Sequence, residues 1–95
     1  GTEGDILPAA YALQQNYPNP FNPATVIRFS VAAKQAVSLQ IFDIIGRLVA
    51  TLFYESLAPG EHEVIWQAGH LPSGTYFMQI KSGNFVKTRK MVLLK

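Results

Sequence analysis

From residue 24 onward apolar and polar side chains alternate with a period close to two, and clusters of Gly, Pro, Asn and Ser interrupt the alternation. A period of two places every second residue on one face of a strand, so the pattern predicts strands rather than helices. The first run is Thr25 to Val31, with Ile27, Phe29 and Val31 on one face and Arg28 and Ser30 on the other. Val37, Leu39 and Ile41 alternate with Ser38 and Gln40 in a second run. Asp43-Ile44-Ile45-Gly46 then forms a short connection in which Gly46 is free to take a positive φ, so the run Arg47 to Phe53 is expected to return as a hairpin partner. Pro59-Gly60 predicts another turn, proline presetting φ at its first central position and glycine accepting the left-handed second one. His62, Val64 and Trp66 share a strand face, Leu71-Pro72-Ser73-Gly74 turns the chain again, and Tyr76, Met78 and Ile80 form another inward set. Ser82-Gly83-Asn84 leads into a last strand from Phe85 to Leu94.

Six strands at this spacing, with turn signals about every eight to twelve residues, fit an all-β, immunoglobulin-like β-sandwich of about seven antiparallel strands. The seventh is expected within Ile6 to Gln15, where Leu7, Tyr11 and Leu13 are apolar at irregular spacing. Residues 1–5 read as a linker, which leaves 6–95 as the domain proper.

Composition narrows function more than fold. The 95 residues are 48% hydrophobic and 15% charged and contain no cysteine. That suffices for one core, and it excludes a disulfide scaffold, a cysteine-ligated metal centre and a thiol nucleophile. Eight basic and six acidic side chains give a net charge of +2, too even a balance to imply nucleic acid as a partner. The distribution is less even: Lys81, Lys87, Arg89, Lys90 and Lys95 crowd the last fifteen residues, which hold no acid. No apolar run approaches the roughly 18 residues of a membrane span, and the first fifteen residues lack the basic start and apolar stretch of a leader. If the protein is exported, its leader is expected on a longer precursor.

Groups that could converge on a reaction are few. His62 and His70 are the only histidines, and a metal site would need a third ligand such as Asp43 or Glu61, which nothing in the spacing supplies. Glu61 and Glu63 share a strand face about 7 Å apart, with no cleft implied around them. Ser73-Gly74 lacks the glycine pattern of a nucleophile elbow, and no phosphate-binding loop is present. The chain therefore reads as non-catalytic and without a cofactor. Aromatic residues make up 12% of it, which keeps open an accessory or carbohydrate-binding module of a secreted enzyme, with Phe53, Tyr54 and Phe77 as stacking platforms. Trp66, in phase with Val64, is expected in the core. The segment Asn16-Tyr17-Pro18-Asn19-Pro20-Phe21-Asn22-Pro23 reads as a rigid shaped loop, since three prolines fix φ and remove three donors, and Tyr17 and Phe21 are expected to anchor it in the core.

That same segment, followed by Ala24-Thr25-Val26-Ile27-Arg28-Phe29, resembles the opening motif of the C-terminal sorting domains of the type IX secretion system, found in the Bacteroidota and related bacteria. Ile41-Phe42-Asp43-Ile44-Ile45-Gly46-Arg47-Leu48-Val49 is similar to the family's second block. Pro59-Gly60-Glu61-His62 with Trp66, then Ser73-Gly74-Thr75-Tyr76-Phe77, resembles its middle, and Lys87-Thr88-Arg89-Lys90-Met91-Val92-Leu93-Leu94-Lys95 its terminal block. The segment between Trp66 and Ser73 is shorter than the family often carries. The immunoglobulin-like domain of flagellar hook-capping proteins shares the Trp and Ser-Gly-x-Tyr region but not the terminal block.

The resemblance implies an address rather than an activity. Such domains end large exported proteins and are recognised in the periplasm by the outer-membrane translocon. A sortase-like peptidase commonly cuts them from the N-terminal cargo, which is left on the cell surface or released. Lys87, Arg89, Lys90, Met91, Val92, Leu93, Leu94 and Lys95 are then the expected recognition residues. A final strand with an exposed edge could be read by strand addition, its basic side chains steering toward an acidic groove. The remaining motif residues, from Asn16 to Pro23 and at Asp43, Gly46, Arg47, Gly60, Trp66, Ser73, Gly74 and Tyr76, are expected to shape the fold.

Overall fold

Alternate burial of β-branched and aliphatic side chains organises the chain into strands whose inner faces meet. The computed structural model describes residues 10–95. Its strands are β1 (Ala12–Leu13), β2 (Ala24–Val31), β3 (Gln35–Asp43), β4 (Leu48–Leu57), β5 (Gly60–Gln67), β6 (Gly74–Ser82) and β7 (Phe85–Leu93). One sheet has the order β1-β2-β5 and the other β4-β3-β6-β7, with every named pairing antiparallel. The hairpins β3–β4 and β6–β7 lie in the four-stranded sheet, while β2 and β5 pair across a long sequence interval, giving an all-β immunoglobulin-like sandwich.

The inward rows of β2, β3 and β6 are those the alternation predicts, whereas the burial of Met91 and Leu93 in β7 sets them apart from the exposed recognition residues they are expected to be. Ile27, Phe29 and Val31 of β2, Val37, Leu39 and Ile41 of β3, Tyr76, Met78 and Ile80 of β6, and Met91 and Leu93 of β7 are all buried. Trp66 is buried as well, at 4% exposure, with its ring 5.7 Å from Phe21 and 6.3 Å from Tyr76. The expected return strand is longer than its alternation suggests, because β4 runs to Leu57 along β3 despite register shifts opposite Leu39/Gln40 and Ile41/Phe42. Those shifts put Leu52 and Phe53 next to each other as half-buried residues, which breaks the period-two pattern there. Within the described part of Ile6 to Gln15, Ala12 and Leu13 form a strand against Ser30 and Phe29. Leu7, and the linker assigned to residues 1–5, lie outside the described residues.

The turns follow their side chains. Gly46 closes the β3–β4 hairpin at φ 87°, and Gly60 opens β5 at φ 123° directly after Pro59. Both values lie where a Cβ is strained, so glycine is required at each.

Candidate functional site

The terminal strand is held by segments distant in sequence. All its residues from Phe85 to Leu93 lie opposite β6 in one unbroken register, from Ser82↔Phe85 to Gly74↔Leu93, and the Lys90 carbonyl, both Val92 groups and the Leu94 amide bond outside that ladder. Even-numbered residues therefore direct their backbone groups away from the sheet. Residues 15–21 reach that outer edge. The Gln15 Nε2 donates to the Lys90 carbonyl at 2.8 Å, and the Val92 amide donates to Asn19 Oδ1 at 2.9 Å. Phe21 then pairs with Leu93 as a parallel bridge, its amide donating to the Val92 carbonyl at 2.9 Å and its carbonyl accepting from the Leu94 amide at 3.0 Å. The chain thus leaves the edge of the three-stranded sheet and straps the edge of the four-stranded one. The strap covers only the second half of β7.

Proline suits this position because it has no amide to leave unpaired. Inside the strap Asn16, only 2% exposed, donates from Nδ2 to Thr25 Oγ1 at 3.0 Å and to the Pro18 carbonyl at 3.2 Å. Thr25 Oγ1 donates in turn to the Pro18 carbonyl at 2.8 Å, so two buried polar side chains satisfy each other and the loop backbone. The expected pair of anchors is half right. Phe21 is buried at 2% exposure, whereas Tyr17 is 74% exposed. Tyr17 bridges Val26, whose side chain lies on the outer face of β2, and this pairing carries the Tyr17 side chain outward. Asn16 takes the inner position instead.

Three other contacts gather at this end of the sandwich. Lys95 donates from its backbone to Ser73 Oγ at 2.9 Å and from Nζ to the carbonyls of Gly69 and Leu71 at 2.8 and 2.9 Å. Tyr76, at the start of β6, donates its hydroxyl to the Pro72 carbonyl four residues upstream at 2.6 Å, a tyrosine corner. Burial, with the Asp43 charge nearby, pushes the Tyr76 hydroxyl above its ordinary pKa. Asp43 closes its own turn: Oδ1 accepts from the Arg47 and Ile45 amides at 2.9 and 3.1 Å, and Oδ2 from Arg47 Nε at 2.9 Å. The Arg47 amide above all, then the Arg47 side chain and the Ile45 amide, hold the Asp43 carboxyl below its ordinary value.

Of the basic residues expected to steer a partner, Arg89 and Lys95 are engaged within the chain. Arg89 Nε donates to the Leu13 carbonyl at 2.6 Å, tying β7 to β1 across the sandwich, and the Lys95 ammonium sits on the two carbonyls already named. Lys87 and Lys90 are exposed. Met91 and Leu93 are fully buried, Val92 is half-buried and Leu94 is exposed. Sequence reasoning passed over Gln15 and the corner role of Tyr76. The second had a visible cue, a tyrosine opening a strand four residues after a proline.

The other candidate constellations do not assemble. His62 stacks on Phe29 at 5.5 Å and bonds through Nε2 to the Ala58 carbonyl at 2.7 Å, while His70 lies exposed in the turn beyond the far end of β5. Glu63 pairs with Arg28 across β2 and β5 at 3.0 Å, beside an open cleft of about 270 Å³ also lined by Glu61 and His62. Among the described residues no three His, Asp or Glu side chains gather around a point that could hold a metal ion, and no helix is long and apolar enough to cross a membrane. Trp66 is unavailable for stacking on a sugar, Phe53 packs on Phe29 at 5.4 Å, Phe77 is half-buried on the outer face of β6, and Tyr54 is the exposed member of the expected aromatic set.

No curated protein sequence matches the chain. Among solved structures it is similar to PorZ of Porphyromonas gingivalis, described as an essential bacterial surface component of the type-IX secretion system, with a TM-score of 0.57 and 23% identity over 90% of this chain. The chain spans 11% of the length of that protein, and the likeness is one of fold. Residues 15–94 match the family of secretion system C-terminal sorting domains. The matched span begins at the first strap residue that touches β7 and includes the Asp43 turn, the tyrosine corner and all of β7, and the chain belongs to the secretion system C-terminal sorting domain family.

Proposed function

We propose that this chain is the C-terminal sorting signal of a larger exported protein, recognised in the periplasm by the type IX outer-membrane translocon. A sortase-like peptidase then separates it from an N-terminal cargo destined for the cell surface or the medium. The observation that carries this reading is the family match over residues 15–94, which includes the terminal block from Lys87 to Leu94.

The test is a reporter with a periplasmic leader, fused ahead of the whole chain and expressed in a bacterium with a type IX system. Surface or secreted reporter is expected with the domain, and periplasmic retention without it or in a translocon-deficient strain. Equal surface delivery with and without the domain would overturn the reading. The whole domain is the right unit to delete, because removing Lys90 to Lys95 also takes Met91 and Leu93 out of the core and conflates recognition with unfolding.

A further inference from the structure

The strap divides the edge of β7 in two. Toward the chain end the outward groups of Val92, the Leu94 amide and the Lys90 carbonyl all have partners. By the same alternation the N–H and C=O of Val86 and Thr88, and the N–H of Lys90, point outward, and among the described residues no strap contact reaches them. Val86, Lys87, Thr88 and Lys90 are all exposed. Lys81, opposite Val86 in the ladder, and Lys90 project from the outer face, and Lys87 lies on the alternate side of the strand.

The other long edges differ. The edge of β4 is interrupted by two register shifts and carries Glu55, and that of β5 carries Glu61 and Glu63. Among the described residues only the first half of β7 combines unbroken register, uncovered backbone and positive charge without a neighbouring acid.

We propose that Val86–Lys90 is the docking edge for an extended, carboxylate-bearing strand of a protein partner. The partner's backbone pairs with Val86, Thr88 and Lys90, its carboxylates meet Lys81, Lys87 and Lys90, and the strap stops the added strand before Val92. The proposal rests on the sorting-signal reading and names the part of the terminal strand that is read while the domain stays folded.

Thr88→Pro tests it, since proline on an edge strand removes only an outward amide and leaves the β6 ladder intact. Thr88→Ala is the control for the side-chain bond from Gln79 Nε2 to Thr88 Oγ1, 3.1 Å. In the reporter assay, Thr88→Pro is expected to lower surface delivery about tenfold, the effect of losing roughly 1.4 kcal/mol of docking free energy, with Thr88→Ala near wild type. Trp66 fluorescence and the melting midpoint establish folding. If Thr88→Pro does not fold, the double variant Lys87→Glu, Lys90→Glu decides and is expected to show the same loss. Wild-type delivery by a folded Thr88→Pro chain, or by the folded double variant, would overturn the proposal while leaving the sorting reading intact. Delivery that survives deletion of the whole domain would overturn the reading itself. A Thr88→Pro change that abolishes self-association in sedimentation without touching delivery would assign the edge to a second copy and also overturn the proposal.

Discussion

The two ends of the sandwich are built by different means. At the end where the chain stops, Phe21, Trp66 and Tyr76 pack in a row, the Asn16–Thr25 pair is buried, Asp43 ties its turn, and Lys95 crosses to Gly69 and Leu71. At the opposite end Tyr11 stacks on Phe85 at 5.1 Å and hydrogen bonds to Gln35, and the buried Ser82 hydroxyl has no partner among the described residues. Most of the motif residues lie at the first end, while Pro59-Gly60-Glu61-His62 and the start of the terminal block at Lys87 lie toward the other. The difference teaches that the sequence motifs, scattered along the chain, encode one cross-brace. It ties the second half of β7 to the body and, among the described residues, leaves the outer edge of the first half uncovered.

Breaking the brace should cost most. Phe21→Ala removes a fully buried ring that also carries the backbone bridge to Leu93, and it is expected to destabilise the domain by about 3–5 kcal/mol in urea titration. Tyr11→Ala, a half-buried stack at the opposite end, should cost about 1–2 kcal/mol. Equal losses would erase the contrast between the ends.

Tyr76→Phe keeps the packing against Trp66 and removes the corner bond, with an expected cost of about 1 kcal/mol. The pH dependence carries a sign. The Tyr76 hydroxyl titrates above its ordinary 10.0 in the fold, so its contribution is intact below that value and is lost as pH rises through the folded pKa. Stability of the wild type should fall in strong alkali more steeply than that of Tyr76→Phe.

Asp43 has the opposite sign. Its folded pKa lies below the ordinary 3.8, so its contribution is present above that value and disappears as pH falls through the folded one. Asp43→Asn should flatten the acid limb of the stability curve and leave the alkaline limb unchanged. The smallest effect is expected at the opposite end. Ser82→Ala removes a buried hydroxyl that has no partner among the described residues and should leave stability unchanged or raise it by up to about 1 kcal/mol.

Much of this was legible in the chain because alternation reports burial directly. The inner rows of β2, β3 and β6 and the core position of Trp66 follow from period-two patterning, and the turns at Gly46 and Gly60 follow from local φ preferences. Long-range backbone contacts leave no such trace. Nothing local in Asn19 or Gln15 announces an interaction more than seventy positions away. The placement of Tyr17 was misread for the same reason, since hydrophobicity suggests an anchor while the bridge to Val26 decides the face. The engagement of Arg89 and Lys95 was equally hidden, because charge in a sequence shows sign but not partner.

Residue-resolved amide hydrogen exchange along β7 of the intact chain tests the brace most directly. Slow exchange at Val92 and Leu94 is expected beside fast exchange at Val86 and Thr88, with Asn19→Ala accelerating Val92 alone. Uniform protection along the outer edge, or fast exchange at Val92 and Leu94 in the wild type, would contradict a strap that covers one half of the strand and leaves the other open.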